Sequence, residues 1–300
     1  MSGWRLVMDR SILFALCSLL FAGVNDLVFK KQATSGYGRG QYMSIAGVVW
    51  AAFFVGWGLI HGRTDVAWQA IAWGAAAGTL SVSANYLLIA SLRQLDASVG
   101  ATIYRLNMVA AALIAVVFLG EPLGAVKSLG LTAGAASVVM FSLGNGKKSL
   151  RSVLTGAMMM VVTASLLRAL MGITYKLATS DFAELQAAGH GSQDEWFLAV
   201  QGGMWMVVGF LCSARFEGRP RLTAGNVVYG TLSGLLICGI VLFFAWALAA
   251  GQASVVIPIA QMSFLVTAVL SLPVTREELS GAKAAGLGLA VAAILLLSRT

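Results

Sequence analysis

The chain has 300 residues, 59% of them hydrophobic and only 11% charged, with a mean hydropathy of +0.85. Soluble domains carry roughly 25% charged residues, so the long apolar runs here read as membrane spans and not as soluble cores. The formal charge of +8 does not point to nucleic acid, because the basic residues sit mostly at the ends of apolar runs, where membrane proteins place them.

A spanning helix needs about 20 apolar residues. On that ruler the first half holds spans at 11–29, 42–60, 70–92, 97–119 and 128–143. The first follows Arg5 and Arg10 and imitates a secretory signal. Its near-full spanning length, and a counterpart to its end in the second half, argue for a retained span. A polar break, GNGKKSLR at 144–151, leads to a second set at 154–175, 196–212, 228–249, 253–274 and 282–297. The expectation is an all-α membrane protein of ten transmembrane helices, five in residues 1–146 and five in 147–300. Trp4, Trp68 and Trp196, near span ends, fit interface anchors, while Pro258 and Pro273 would kink the ninth span. Cys17, Cys212 and Cys238 lie in apolar segments without CxxC spacing, as packing residues do.

The two sets read as copies of one unit. At an ungapped offset of 156 residues, Ala97-Ser98-Val99 falls on Ala253-Ser254-Val255, Glu121 on Glu277 and Leu123 on Leu279. Upstream the register pairs Gly74, Gly78 and Leu80 with Gly230, Gly234 and Leu236; downstream it pairs Lys127, Gly130 and Leu131 with Lys283, Gly286 and Leu287. The first spans match at an offset of 146, with Phe29-Lys30 over Tyr175-Lys176, and a polar loop at 181–195 absorbs the difference. An odd number of spans per copy inserts the copies from opposite sides, giving the inverted repeat that many secondary transporters use for alternating access. Gly74/Gly78, Gly230/Gly234 and Gly130/Gly134 recur at four-residue spacing, which lets helix backbones approach closely in lipid.

Leu119-Gly120-Glu121-Pro122-Leu123 leads into Gly130, and Arg276-Glu277-Glu278-Leu279 leads into Gly286. Two five-span halves, each with Glu after its fourth span, resemble the EamA-type ten-helix members of the drug/metabolite transporter superfamily. The resemblance covers nearly the whole chain. It implies a multi-pass protein of a bacterial cytoplasmic (inner) membrane that moves small organic molecules: amino acids, sugars, phosphorylated metabolites or drugs. The second copy departs from it, reading Thr275-Arg276-Glu277 where the family favours Leu-Gly-Glu. The family keeps both chain ends in the cytoplasm, whereas the Lys and Arg count near span ends favours the other side, so the two arguments assign opposite orientations.

Ionisable groups inside spans cost at least ~2.5 kcal/mol each, so each is a candidate for function. Arg105 lies in the fourth span beside Tyr104; its repeat partner is Gln261, and Asn107 answers to Ser263. Polar residues so related would face each other where inverted-repeat transporters hold substrate, and a guanidinium there grips a carboxylate or phosphate at two points. The plainer alternative is an Arg105 that snorkels or pairs with Asp26. Arg168, in the sixth span at the place of Ala22, would add a second positive group, or else bond backbone carbonyls. Asp26 would load and release a proton, or form a permanent pair with Lys30 four residues on. Tyr86 and Trp246 join Tyr104 as candidates to line an amphipathic cavity.

These residues favour an anionic or zwitterionic small molecule, an amino acid or related carboxylate, moved outward by alternating access. Broad drug efflux coupled to protons through Asp26 is the alternative, and a non-transporting intramembrane enzyme or scaffold is the alternative from another class. His61 and His190 fall in loops, and no Ser/His/Asp, HExxH, GxxxxGK or DxD constellation stands out. No catalytic residue, cofactor, metal or nucleic acid is expected; the lipid bilayer is the environment, and monomer and homodimer both stay open.

Overall fold

The structure is a computed structural model that describes residues 9–35, 37–91, 103–143, 156–217, 222–275 and 280–300. Those residues form α1 (Arg10–Thr34), α2 (Arg39–Ile60), α3 (Trp68–Ser91), α4 (Asn107–Phe118), α5 (Ala125–Leu143), α6 (Gly156–Ala187), α7 (Asp194–Phe216), α8 (Ala224–Ala250), α9 (Ala253–Gln261), α10 (Phe264–Thr275) and α11 (Gly281–Leu297). Among them, six stretches are long and apolar enough to cross a membrane: Arg10–Phe29 in α1, then α2, α6, α7, α8, and Ala253–Leu270 across α9 and α10. Ile103–Phe118, Ala125–Met140 and α11 are apolar but shorter. The 24-residue α3 has the length, but Thr79, Ser81, Ser83 and Asn85 lower its hydropathy.

The helices depart from the expected spans in three places. First, α6 runs for 32 residues to Ala187, so of the polar loop expected at 181–195 only 188–193 is non-helical. Packing holds the extension: Trp73 Nε1 donates to Asp181 Oδ2 at 2.9 Å, and the Phe182 and Phe197 rings lie 5.7 Å apart. The helix stops where Gly189, at φ 95°, lets its own N–H reach Gln186 O and the His190 N–H reach Leu185 O. A side chain at Gly189 would oppose that left-handed ending. The other two departures concern the fourth and ninth spans, expected to be continuous, which tight turns interrupt at Leu106 and at Met262.

The helices pack in reciprocal pairs. α2 lies against its repeat counterpart α7 and α5 against α11, while α4 packs on α9, the first part of the ninth span. α1 packs on α8 as α6 packs on α3, and α2 packs on α8 as α7 packs on α3. These last two pairings are each the other's match under the repeat register, the pattern of an isologous contact.

Glycines set the closest approaches. α2 crosses α7 with Gly40 on Gly209 and Gly47 on Gly202, and a Cβ on Gly202 would lie 2.7 Å from the Ala51 nitrogen. Gly74 and Gly78 of α3 seat Val200 and Met204, while Gly230 and Gly234 of α8 seat Ile45 and Val49. Val200 and Met204 come 155 residues after Ile45 and Val49, which fixes a register for the second helices that their sequences alone do not reveal.

Trp50 and Trp205 obey the same offset and meet with ring centroids 6.0 Å apart. Trp205 Nε1 donates to Ser81 Oγ at 3.1 Å. The repeat position of Ser81 is Ile237, whose side chain offers no acceptor, and Trp50 Nε1 is buried without a partner among the described residues.

Candidate functional site

The site is built on the two helix breaks. Leu106 N–H donates to Ile103 O at 3.2 Å and Val109 N–H to Leu106 O at 3.0 Å. Met262 N–H donates to Ile259 O at 3.1 Å and Leu265 N–H to Met262 O at 3.0 Å. Both tight turns sit at the same place in the repeat, 156 residues apart. Pro258 does not explain them, since its counterpart position holds Thr102. Asn107 supports the first break by donating Nδ2 to Tyr104 O at 2.7 Å, and its buried Oδ1 has no partner. Paired discontinuous helices let backbone and polar side chains line a cavity at membrane depth.

Asp26 of α1 ties the two breaks together. Its Oδ2 accepts from Arg105 Nη2 at 3.4 Å, beside the first break, and from Ser263 Oγ at 3.1 Å, within the second. Thr267 Oγ1, one turn along α10, donates to the same oxygen at 3.1 Å. The Arg105 guanidinium also lies over the Phe264 ring, 5.1 Å from its centroid. The Arg105 and Asp26 side chains keep 26% and 37% of their surface uncovered by the protein. A second polar chain runs beside it: Tyr42 OH donates to Ser233 Oγ at 2.5 Å, and Ser233 Oγ to Asn25 Oδ1 at 2.6 Å.

Arg168 of α6 faces this cluster from the other half. Its charge acts on Tyr104, as do those of Asp26 and Arg105, and also on Tyr175. Ser165, one turn earlier, donates Oγ to Tyr104 O at 3.4 Å. Arg168 Nη1 meets Met171 Sδ at 3.4 Å, a weak acceptor, while its Nε is buried with no acceptor among the described residues. A guanidinium held by no carboxylate inside an apolar bundle is a costly arrangement that an anionic guest would relieve.

The geometry thus groups Asp26, Tyr104, Arg105, Asn107, Ser263 and Arg168. Gln261 ends α9 next to the second break, half-buried, without a described hydrogen bond. Tyr86 is not drawn in: its ring packs on Phe216, 6.1 Å away, and it is largely exposed. Trp246 belongs to an aromatic cluster with Phe14 and Phe243 where α1 meets α8. Lys30 lies in α1, and its side chain falls outside the described residues. Thr267, Phe264, Tyr42, Ser233 and Asn25 escaped the sequence reading. Thr267 was findable, because a hydroxyl four residues after Ser263 shares its helix face.

The model of the EamA-like transporter family matches residues 9–143, the stretch from α1 through α5. A solved crystal structure of a protein only 14% identical superposes with a TM-score of 0.77 over 95% of each chain, so the two share a fold. No curated protein matches the chain.

Proposed function

Because this chain belongs to the EamA-like, drug/metabolite transporter superfamily, we propose that it is a secondary active transporter that exports a small organic carboxylate, an amino acid or a related anion or zwitterion. The reading counts ten spans, with α9 and α10 as one, arranged as two inverted five-span repeats that rock about the paired breaks. The repeat-exchanged packing of α1 on α8 and α6 on α3 supports that arrangement. The observation that carries the cargo class is Arg168, whose buried Nε lacks an acceptor among the described residues, beside an Asp26–Arg105 pair that the protein leaves partly uncovered. Cargo carboxylate on Arg168 and Arg105, with Tyr104 alongside, satisfies donors that the protein itself leaves unmet. The setting is the bacterial inner membrane.

The test is purified protein in liposomes, with labelled amino acids and organic acids offered singly, beside a thermal-shift screen that adds sugar phosphates and cationic drugs. Ligand at saturation should stabilise by ~1–3 kcal/mol. Flux of an anionic or zwitterionic solute that disappears in Arg168→Ala supports the reading; stabilisation and flux confined to cations would overturn it. That second outcome is drug efflux, with Asp26 as the cation-binding and proton-coupling group. The observation favouring it is that three donors already converge on Asp26 Oδ2, where a cationic guest or a proton would compete.

A further inference from the structure

Glu121, the acidic residue of the Leu119–Leu123 motif, reaches from the α4–α5 connection into the other half of the molecule. Its Oε1 accepts the Ala253 N–H at 2.7 Å and its Oε2 the Ser254 N–H at 2.8 Å. These are the first amides of α9, unpaired within the helix and at the positive end of its dipole, so a carboxylate is their natural cap. Lys127 of α5 adds bonds from Nζ to Gln252 Oε1 at 2.5 Å and Ser254 Oγ at 2.9 Å. On the other side, Lys176 of α6 donates Nζ to Leu248 O at 2.8 Å and Gly251 O at 2.7 Å, closing the carbonyl end of α8. The short α8–α9 linker is therefore pinned by three charged side chains, two of them from the first half. Outside the cluster lies a cavity of about 610 Å³ whose lining includes Asp9, Glu121, Lys176, Gln252 and Ser298.

We propose that Glu121, with Lys127 and Lys176, is a gate that keeps this end of the bundle closed, and that opening it for cargo requires Glu121 to release the amides of α9. The proposal rests on the alternating-access reading above. If the halves rock about the paired breaks, contacts between halves at an end must part when that end opens. Glu121 stands 15 residues beyond Leu106, and Ala253 nine before Met262. At 1.5 Å per helical residue both lie well over 10 Å from the pivot, where a small rotation moves them most. Charged groups suit the role better than an apolar plug. Glu121 and Lys176 both line the outer cavity, so water rehydrates them as they separate.

The test needs no cargo. In a background with Cys17, Cys212 and Cys238 replaced by Ser, spin labels are placed on Gly124→Cys and Ala250→Cys, and their separation is measured by pulsed electron resonance in lipid nanodiscs. Both label positions are exposed, and nothing crowds a side chain at Gly124. The parent should give one short distance. Glu121→Ala should add a longer one, with the closed-to-open ratio falling by roughly tenfold or more, as expected for loss of a charged hydrogen bond. Lys176→Met should act in the same direction, and Glu121→Asp should restore most of the short distance. If Glu121→Ala does not fold, Glu121→Gln and Lys176→Met carry the measurement. An unchanged single distance in every folded variant would overturn the gate, even if α9 amide exchange quickens from simple loss of the cap. Because the readout is independent of flux, a failed cargo assay and a failed gate are told apart.

Discussion

Asp26 and Arg105 meet at 3.4 Å through a single oxygen, Oδ2, which also receives the hydroxyls of Ser263 and Thr267. The contact is one-pointed and only partly covered by the protein, so it ties the two breaks together without locking them. Exposed pairs of this kind contribute ~0.2–1 kcal/mol. A double-mutant cycle with Asp26→Asn and Arg105→Gln, followed by chemical denaturation, should return a coupling within that range. A coupling of 3 kcal/mol or more would mark the pair as a buried structural lock and remove Arg105 from the cargo site.

Transport provides the second check on Asp26. Asn keeps its shape and can still accept from Ser263 and Thr267, but it cannot carry a proton. If Asp26 is the coupling group, Asp26→Asn should lose transport driven by a pH gradient while keeping exchange of cargo across the liposome wall. Undiminished pH-driven uptake in that variant would confine Asp26 to holding the breaks together.

Arg168 and Arg105 should respond differently to conservative change. A charged hydrogen bond is worth ~1.5–3 kcal/mol, so Arg168→Ala is expected to raise the Kd for carboxylate cargo about ten- to a hundredfold. Arg168→Lys keeps the charge but loses the planar two-point grip and should fall in between. Arg105→Ala should also weaken binding, yet by less, because part of that guanidinium already faces Asp26 and Phe264. Calorimetric titration of all three ranks them, and normal affinity in Arg168→Ala would sink the assignment.

Gly202 and Gly203 are chain neighbours with opposite surroundings. A Cβ on Gly202 meets the Ala51 nitrogen at 2.7 Å, whereas nothing lies within 4 Å of one on Gly203. Gly202→Ala should therefore cost about 1–3 kcal/mol by forcing α2 and α7 apart. Gly203→Ala should be neutral or gain up to ~1 kcal/mol from helix propensity. Thermal melts in detergent separate the two. Equal effects would refute the close crossing.

The close helix crossings were legible because small residues mark them in sequence: Gly74 and Gly78 recur as Gly230 and Gly234, and the structure gives both pairs the same job. The breaks were not legible. Leu106 and Met262 are ordinary apolar residues, and Pro258, the visible suspect, has no partner in the first copy. The length of α6 was hidden for a related reason. Asp181 and Glu184 look like loop residues until Trp73 and Phe197, distant in sequence, are found holding that turn in place. Among the candidate residues, the intramembrane charges stood out in the sequence by their cost in lipid. Tyr86 and Trp246 did not join them, since an aromatic ring is equally at home against a cavity, a neighbour or a lipid tail.

The unpartnered indole of Trp50 has a wider meaning. In an assembly of two identical chains, any serine offered to one tryptophan would be offered to the other as well. Here Trp205 has Ser81 and Trp50 has only Ile237 at the matching place. Two segments of one chain carry no such obligation. The charges followed the same freedom: Asp26 stands opposite Gly172, Arg105 opposite Gln261 and Arg168 opposite Ala22. A scaffold with exact two-fold symmetry would present two equal faces, whereas the charged groups here differ between the two halves, so cargo bound among them as proposed would meet unlike faces.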